Sequence, residues 1–166
     1  QKIEPLMRLK QPKQLKLLKD LPKAYGGDLL TKRAARQSGR PLATKQSMHF
    51  VLRSTQARGI WSFHRHKREI RSIIERFSKK FGVRLNSIAN VGNHLHIHLQ
   101  LTNRQTYRAF IRAISAAIMM QVTGISRWNK IKLQKKFWDR RPFSRVIIGY
   151  QGLLNIRDYI AVNRLE

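Results

Sequence analysis

VRLNSIANVGNHLHIHLQL, residues 83–101, contains two runs of strand-forming residues separated by a glycine-containing turn at 91–92. In the second run His94, His96 and His98 occupy alternate positions, with aliphatic residues between and after them. Successive side chains of a β-strand point to opposite faces. The alternation therefore predicts a half-buried strand, with an aliphatic face packed into a core and a histidine face directed to solvent, a ligand or a metal ion.

The segments around this hairpin complete an α+β pattern. Strands are predicted at MHFVLRS (48–54) and within KFWDRRPFSRVII (136–148). Apolar residues at helical spacing predict helices at 63–82, 104–124 and 152–166, and the first two end at a glycine. The order β-α-β-β-α-β-α is that of the split βαβ, ferredoxin-like or RRM-like fold. We expect an antiparallel four-stranded sheet with helices on one face and an extra C-terminal helix.

The composition predicts a polyanionic partner. The 166 residues contain 35 Lys and Arg against 8 Asp and Glu, a formal net charge of +27. Such a charge favours nucleic acid, bound with an affinity that salt should weaken, over an acidic membrane surface. Residues 1–47 are predicted to form a basic extension and residues 48–166 the folded domain, which holds 23 of the Lys and Arg residues.

Several classes of protein are disfavoured by what the sequence lacks. It contains no cysteine, which excludes disulfides and thiolate zinc sites. No apolar run approaches the roughly 20 residues of a membrane span, and no signal-peptide core is visible. We expect a cytoplasmic protein of bacterial type that does not bind membranes.

Tyr159 and Asn163 lie one turn apart in the predicted closing helix and therefore share a face. If that face meets the histidine strand, two imidazoles, an amide oxygen and a phenol converge. Two imidazoles and a carbonyl oxygen can hold a hard divalent cation with positions open to phosphate oxygens. A tyrosine hydroxyl can then attack phosphorus and form a covalent phosphotyrosine. Packing or capping explains each residue alone more simply, but not the combination.

Four stretches of the chain resemble the single-tyrosine HUH transposases of insertion sequences, and in particular the REP-associated tyrosine transposases. MHFVLRS resembles the first strand of that family, and GNHLHIHLQL resembles its Asn-His-apolar-His strand. FWDRRPFSRVI is similar to its Trp-rich strand segment, and DYIAVN to its Tyr-Ile-x-x-Asn helix. The resemblance covers most of residues 48–164 and implies a catalytic domain that cuts single-stranded DNA and transfers the cut strand.

The resemblance also implies roles for individual residues. Tyr159 matches the nucleophile that forms the 5′-phosphotyrosine intermediate. His94 and His96 match the histidine pair that binds a divalent metal, Mg²⁺ or Mn²⁺, and Asn163 matches the third ligand. The implied enzyme is a metal-dependent DNA nickase and strand transferase that acts in DNA transposition.

Two choices of residue stay open at this point. The third imidazole of the strand allows His96 and His98 to form the metal-binding pair instead, and His49 on the first strand is a further candidate. Tyr107 and Tyr150 are rival nucleophiles. Tyr150 lacks an amide partner one helical turn later, and the spacing of Tyr107 from the histidines matches nothing in the family.

The implied partner is single-stranded or hairpin DNA, bound by a monomer or a homodimer. Seven basic residues near the motifs are candidate contacts to it: Arg53, Arg58, Lys67, Arg71, Arg140, Arg141 and Arg145. The alternative function is non-catalytic nucleic-acid binding, by an RRM-like module or a domesticated transposase. An RRM carries aromatic residues on its sheet face, whereas this sheet presents histidines, which favours the enzyme.

Overall fold

The structure, a computed structural model, describes residues 25–26, 42–126, 128–129, 133, 135–139 and 141–165. Its elements are β1 (Tyr25–Gly26), β2 (Met48–Arg53), a short 3₁₀ helix (Gly59–Trp61), α1 (Lys67–Lys80), β3 (Val83–Asn90), β4 (His94–Leu101), α2 (Thr106–Thr123), β5 (Phe143–Val146) and α3 (Gly149–Leu165). From β2 onward, the strands and α-helices follow the predicted order. None of the described helices has the length and apolar composition needed to cross a bilayer.

The strands form one antiparallel sheet in the order β1-β5-β2-β4-β3. With β2 and β4 inside and β5 and β3 beside them, the four predicted strands have the arrangement of the split βαβ fold, which confirms the predicted fold class. The additional strand β1 pairs Tyr25 with Arg145 and Gly26 with Ser144. A segment of the predicted extension therefore belongs to the sheet.

The aliphatic face of the sheet packs against α1 and α2. Each helix presents an apolar stripe at a spacing of three or four residues, which places its members on one side of the helix. The fully buried side chains of this core include Met48, Phe50, Leu52, Ile70, Ile74, Leu95, Ile97, Leu99, Phe110, Ile114 and Ile118. Full burial of one such side chain stabilises the fold by about 1.5 to 3 kcal/mol.

The other face of the sheet is covered by α3, which reaches the histidines with Tyr159. His96 and His98 are buried, at 3% and 5% exposure, so β4 is buried on both faces. The prediction of a half-buried strand was therefore wrong for β4. Alternation shows which residues share a face, but it does not show that a later helix lies across that face.

The first helix begins at Lys67, four residues later than predicted. The preceding loop is held by tertiary hydrogen bonds: the amide of Phe63 donates to the carbonyl of Gly92 at 2.7 Å, and Nδ2 of Asn90 donates to the carbonyl of Phe63 at 2.7 Å. Phe63 itself is fully buried. This loop therefore ties the start of α1 to the turn that precedes the histidine strand.

Candidate active site

The register of β2, β4 and β5 gathers basic residues and imidazoles on one face of the sheet. Arg53 pairs with His94, and His49 pairs with His98. On the other side of β2, Arg145 pairs with His49. Residues directly opposite one another in antiparallel strands point to the same face, so the side chains of β2 and β5 flank the histidine row.

Tyr159 of α3 lies against this face. The centroid of its ring is 5.2 Å from that of His96 and 6.0 Å from that of His49, with both imidazoles meeting the phenol ring nearly edge to face. The side chain is 47% exposed, so a substrate can approach it from solvent. Ile160, the next residue, is 1% exposed and anchors the helix. The structure thus brings together the closing helix and the histidine strand.

His94 and His96 present their rings to each other, with centroids 4.8 Å apart. Nδ1 of His94 lies 2.6 Å from Oδ1 of Asn93. Because that oxygen only accepts, Nδ1 of His94 carries a proton, and in the neutral ring Nε2 then carries the lone pair. Nε2 of His96 is enclosed and has no hydrogen-bond partner. A buried nitrogen left in this way is suited to bind a metal ion.

Burial keeps the imidazoles of His49, His96 and His98 neutral at pH 7. It lowers the pKa of His96 to about 4, with a further contribution from His94. It lowers the pKa of His49 to about 3, with contributions from His96, His98 and Arg145. Burial also lowers the pKa of His98. Neutral imidazole is the form that binds metal ions, so this environment suits His96 as a ligand.

His98 is held in a different way. Nδ2 of Asn86 on β3 lies 3.3 Å from its Nε2 and donates to it. The described ring contacts of Tyr159 are with His96 and His49, not with His98. Because the Nε2 lone pair of His98 is already engaged, the geometry favours His94 with His96 as the pair over His96 with His98.

Asn163 lies in α3 one turn beyond Tyr159 and is half-buried. Its Nδ2 donates to the main-chain carbonyl of Tyr159 at 2.7 Å, and no described hydrogen bond joins it to an imidazole. Among the described residues, no three His, Asp or Glu side chains are grouped to hold a metal ion. A site on His94 and His96 therefore needs oxygen donors such as the amide of Asn163 and the substrate. Carbonyl and phosphate oxygen donors of this kind suit Mg²⁺ or Mn²⁺.

Two of the predicted DNA contacts stand on the histidine face. Arg53 and Arg145 are exposed at their strand positions beside the imidazoles. Nε of Arg53 lies 3.5 Å from Oδ2 of Asp139. The carboxylate thus holds one guanidinium at the His94 end of the sheet.

The other predicted contacts are more dispersed. Lys67 and Arg71 are exposed on α1, in the helix layer on the opposite side of the sheet, and Arg71 forms an ion pair with a neighbour on its own helix. Arg58 and Arg141 are exposed in loops. Arg140 lies outside the described residues.

The alternative nucleophiles, Tyr107 and Tyr150, lie away from His94 and His96. Tyr107 belongs to α2, and its ring centroid lies 5.5 Å from that of Phe50 on the aliphatic side of the sheet. Tyr150 is 74% exposed in the first turn of α3. It lies nine positions before Tyr159, which corresponds to about 13.5 Å along a helix axis.

Sequence reasoning missed three residues that support the site. Asn93 binds Nδ1 of His94, Asn86 engages His98, and Asp139 holds a guanidinium on the sheet face. Asn93 could have been found from its position directly before the first histidine. Asn86 and Asp139 act across strands and loops, and no spacing in the sequence signals them.

The family model described as "Transposase IS200 like" matches residues 43–163, a range that includes the histidine strand, Tyr159 and Asn163. The comparison with curated proteins gives no match.

The solved structures that are similar to this chain include these two. One is a REP-associated tyrosine transposase bound to a REP hairpin, with 15% identity, a TM-score of 0.61 and coverage of 78% of this chain and 72% of that chain. The other is the crystal structure of a transposase-like protein from Deinococcus radiodurans, with 13% identity, a TM-score of 0.49 and coverage of 76% and 97%. The first of these supports the same fold.

Proposed function

This chain belongs to the IS200-like transposase family, and we propose that it cuts single-stranded DNA and transfers the cut strand through a covalent 5′-phosphotyrosine on Tyr159. The observation that carries the proposal is the 5.2 Å separation between the ring centroids of Tyr159 and His96. This contact brings the half-exposed side chain of Tyr159 on α3 to the histidine pair on β4.

The proposed substrate is single-stranded or hairpin DNA. The net charge of +27 favours a polyphosphate. Arg53 and Arg145 flank the histidine row and would contact the sugar-phosphate backbone, which positions a strand without reading its sequence. The similar REP-associated transposase is bound to a REP hairpin, which makes a hairpin the first substrate to test.

His94 and His96 would hold Mg²⁺ or Mn²⁺ through their Nε2 atoms, and Oδ1 of Asn163 would serve as an oxygen donor. When bound, the cation polarises the phosphodiester and offsets the negative charge that develops on its oxygens. Oδ1 of Asn93 accepts a hydrogen bond from Nδ1 of His94 and thereby fixes the orientation of that ring. The hydrogen bond from Asn163 to the carbonyl of Tyr159 keeps amide and phenol on the same part of α3.

In the cleavage step, Oη of Tyr159 attacks the phosphorus of the phosphodiester. A tyrosine O–P bond forms while the bond between phosphorus and the 3′ oxygen breaks. The phenol gives up its proton, and the departing oxygen takes one up to become a free 3′-hydroxyl. A 3′-hydroxyl of another DNA end then attacks the phosphotyrosine, reforms a phosphodiester and restores the phenol, so no external energy is consumed.

The test is covalent adduct formation on a labelled single-stranded hairpin with Mg²⁺ or Mn²⁺. We expect Tyr159→Phe, which removes the hydroxyl and retains the ring, to fold and bind DNA but to form no nick and no adduct. Tyr150→Phe and Tyr107→Phe are matched controls that should stay active. Mass spectrometry of the cross-linked peptide locates the adduct.

Three results would contradict the proposal. An adduct on Tyr107 or Tyr150 would assign the nucleophile to that residue instead of Tyr159. Cleavage that persists in Tyr159→Phe would exclude a phosphotyrosine intermediate at position 159. DNA binding by the wild type without any adduct in either metal would favour a non-catalytic DNA-binding protein.

A further inference from the structure

His49 and His96 form a buried imidazole pair between β2 and β4. Nε2 of His49 lies 3.1 Å from Nδ1 of His96, and the two rings are stacked with centroids 5.3 Å apart and planes 14° apart. The side chains are 7% and 3% exposed. Both rings are neutral at pH 7. One of these two nitrogen atoms therefore carries a proton and donates it, and the other accepts.

The two ways of placing that proton differ in cost. If His49 donates, the proton of His96 lies on Nε2, which becomes an enclosed N–H without an acceptor. If His96 donates from Nδ1, its Nε2 carries a lone pair instead. Buried N–H groups without a partner are rarer in proteins than under-satisfied acceptors. The geometry therefore favours donation from His96 to His49.

We propose that His49 is a positioning residue, which accepts a hydrogen bond from Nδ1 of His96 and thereby holds the Nε2 lone pair of His96 ready for the metal ion. The inference rests on the proposed function in naming His96 as a ligand. It also assigns His49 a role other than that of a ligand, since Nε2 of His49 is engaged by His96.

His94, the other proposed metal ligand, has an equivalent arrangement. Oδ1 of Asn93 accepts from Nδ1 of His94 at 2.6 Å, as Nε2 of His49 accepts from Nδ1 of His96. Both ligands thus have an acceptor at Nδ1 and a lone pair at Nε2. Outer partners of this kind fix the orientation of a metal-binding imidazole, and their loss typically weakens metal affinity about 10- to 100-fold.

Packing on three sides keeps the ring of His49 in place. Its centroid lies 6.0 Å from that of Tyr159 on α3 and 6.3 Å from that of Phe143 on β5, both edge to face. Arg145 is its strand partner on β5. A replacement at position 49 must therefore keep this volume if the hydrogen bond alone is to be tested.

His49→Phe and His49→Gln are the matched variants. Phenylalanine retains a ring and removes the acceptor, whereas the glutamine Oε1 reaches close to the position of Nε2 and can accept from His96. Mn²⁺ binding to the full chain without DNA is measured by electron paramagnetic resonance. We expect about tenfold or greater weakening in His49→Phe and affinity close to wild type in His49→Gln.

The second readout is independent of metal and of activity. Nitrogen-15 NMR of histidine-labelled, metal-free protein reports which ring nitrogen is protonated. We expect His96 to carry its proton on Nδ1 in the wild type and in His49→Gln, and to populate the Nε2–H form in His49→Phe. This change of tautomer would not follow from a purely structural role of the ring.

The outcomes separate the inference from the proposed function. A wild-type His96 protonated on Nε2 overturns the inference, whether or not the variants fold. Folded His49→Phe with unchanged Mn²⁺ affinity and an unchanged tautomer also overturns it. If His96→Ala binds Mn²⁺ as well as the wild type does, the proposed metal site fails, and the NMR measurement still decides the role of His49.

Discussion

Arg53 and Asp139 form an ion pair, 3.5 Å between Nε and Oδ2, at the end of the sheet where Arg53 is the strand partner of His94. Asp139 is itself fixed, since its Oδ1 accepts hydrogen bonds from the amide of Thr55 at 2.7 Å and from Oγ1 of Thr55 at 2.9 Å. The amide of Asp139 donates to the carbonyl of Arg53 at 3.1 Å. The guanidinium is thus held beside the proposed ligand pair.

Asp139→Asn should slow strand cleavage by about tenfold, because a phosphate-binding guanidinium that is less well fixed aligns the scissile phosphate less well. Mn²⁺ affinity should not change, since Asp139 does not contact the imidazoles through any described interaction. Single-turnover cleavage of a labelled hairpin measures the rate. The matched control is Glu75→Gln, which breaks the 2.8 Å ion pair with Arg71 on α1. If the cleavage rate falls equally in Asp139→Asn and Glu75→Gln, Asp139 has no specific role in positioning the phosphate.

His98→Ala should leave cleavage largely intact, because the Nε2 lone pair of His98 is engaged by Asn86 and not directed to a metal. His94→Ala and His96→Ala should each abolish cleavage while DNA binding persists, since the basic surface supplies affinity. Gel-based cleavage and binding assays on the same hairpin distinguish the two effects. Loss of cleavage in His98→Ala, together with activity in His94→Ala, would assign the pair to His96 and His98.

The stability of the metal-free protein should fall on acidification. Burial lowers the pKa of His49 to about 3 and that of His96 to about 4, from an ordinary value of 6.5. Below pH 6.5 the unfolded chain binds protons that the folded chain excludes. The free energy of unfolding is therefore highest above pH 6.5 and decreases as the pH falls towards 4. We expect a loss of roughly 2 to 3 kcal/mol for each ring at pH 4.5.

Urea unfolding in the presence of EDTA at pH 7, 5.5 and 4.5 measures this dependence. His49→Gln removes one of the buried titrating rings and should flatten the profile. Equal free energies of unfolding at pH 7 and 4.5 in the wild type would contradict the buried neutral state of both rings.

Gly92→Ala should destabilise the fold by about 1 to 2 kcal/mol because of its left-handed backbone. The φ angle of Gly92 is +79°, and an added Cβ would lie 2.8 Å from Cδ2 and 2.9 Å from Nε2 of His64. Gly124→Ala is the matched control, with a φ angle of +70° and no neighbour within 4 Å of an added Cβ. Thermal unfolding of the two variants measures the difference.

The comparison separates backbone strain from contact with His64. If Gly92→Ala loses more stability than Gly124→Ala, the difference is the free-energy cost of moving the His64 side chain. Equal losses mean that His64 moves aside freely, and a neutral Gly92→Ala would show that the turn before β4 relaxes without strain.

The elements that follow local periodicity could be predicted from the sequence. Alternation predicted the histidine strand, and the four-residue separation of Tyr159 and Asn163 placed them on one helix face. The order of strands and helices then predicted the fold, since few topologies connect such elements with short loops.

The remaining features depend on contacts between distant parts of the chain. The hydrogen bond between His49 and His96 joins residues 47 positions apart, and neither strand alone indicates it. The burial of His98 follows from the position of α3 across the sheet. The pairing of β1 involves two residues, Tyr25 and Gly26, in a basic segment without apolar alternation.

β1 covers part of an outer strand edge. β5 has four residues, and Tyr25 and Gly26 lie along it at Arg145 and Ser144. Uncovered main-chain N–H and C=O groups on such an edge invite pairing with another chain. A chain that begins at residue 48 lacks β1, which leaves this edge uncovered beside the candidate active site, and it should self-associate through its sheets. A chain that begins just before Tyr25 would keep the edge covered.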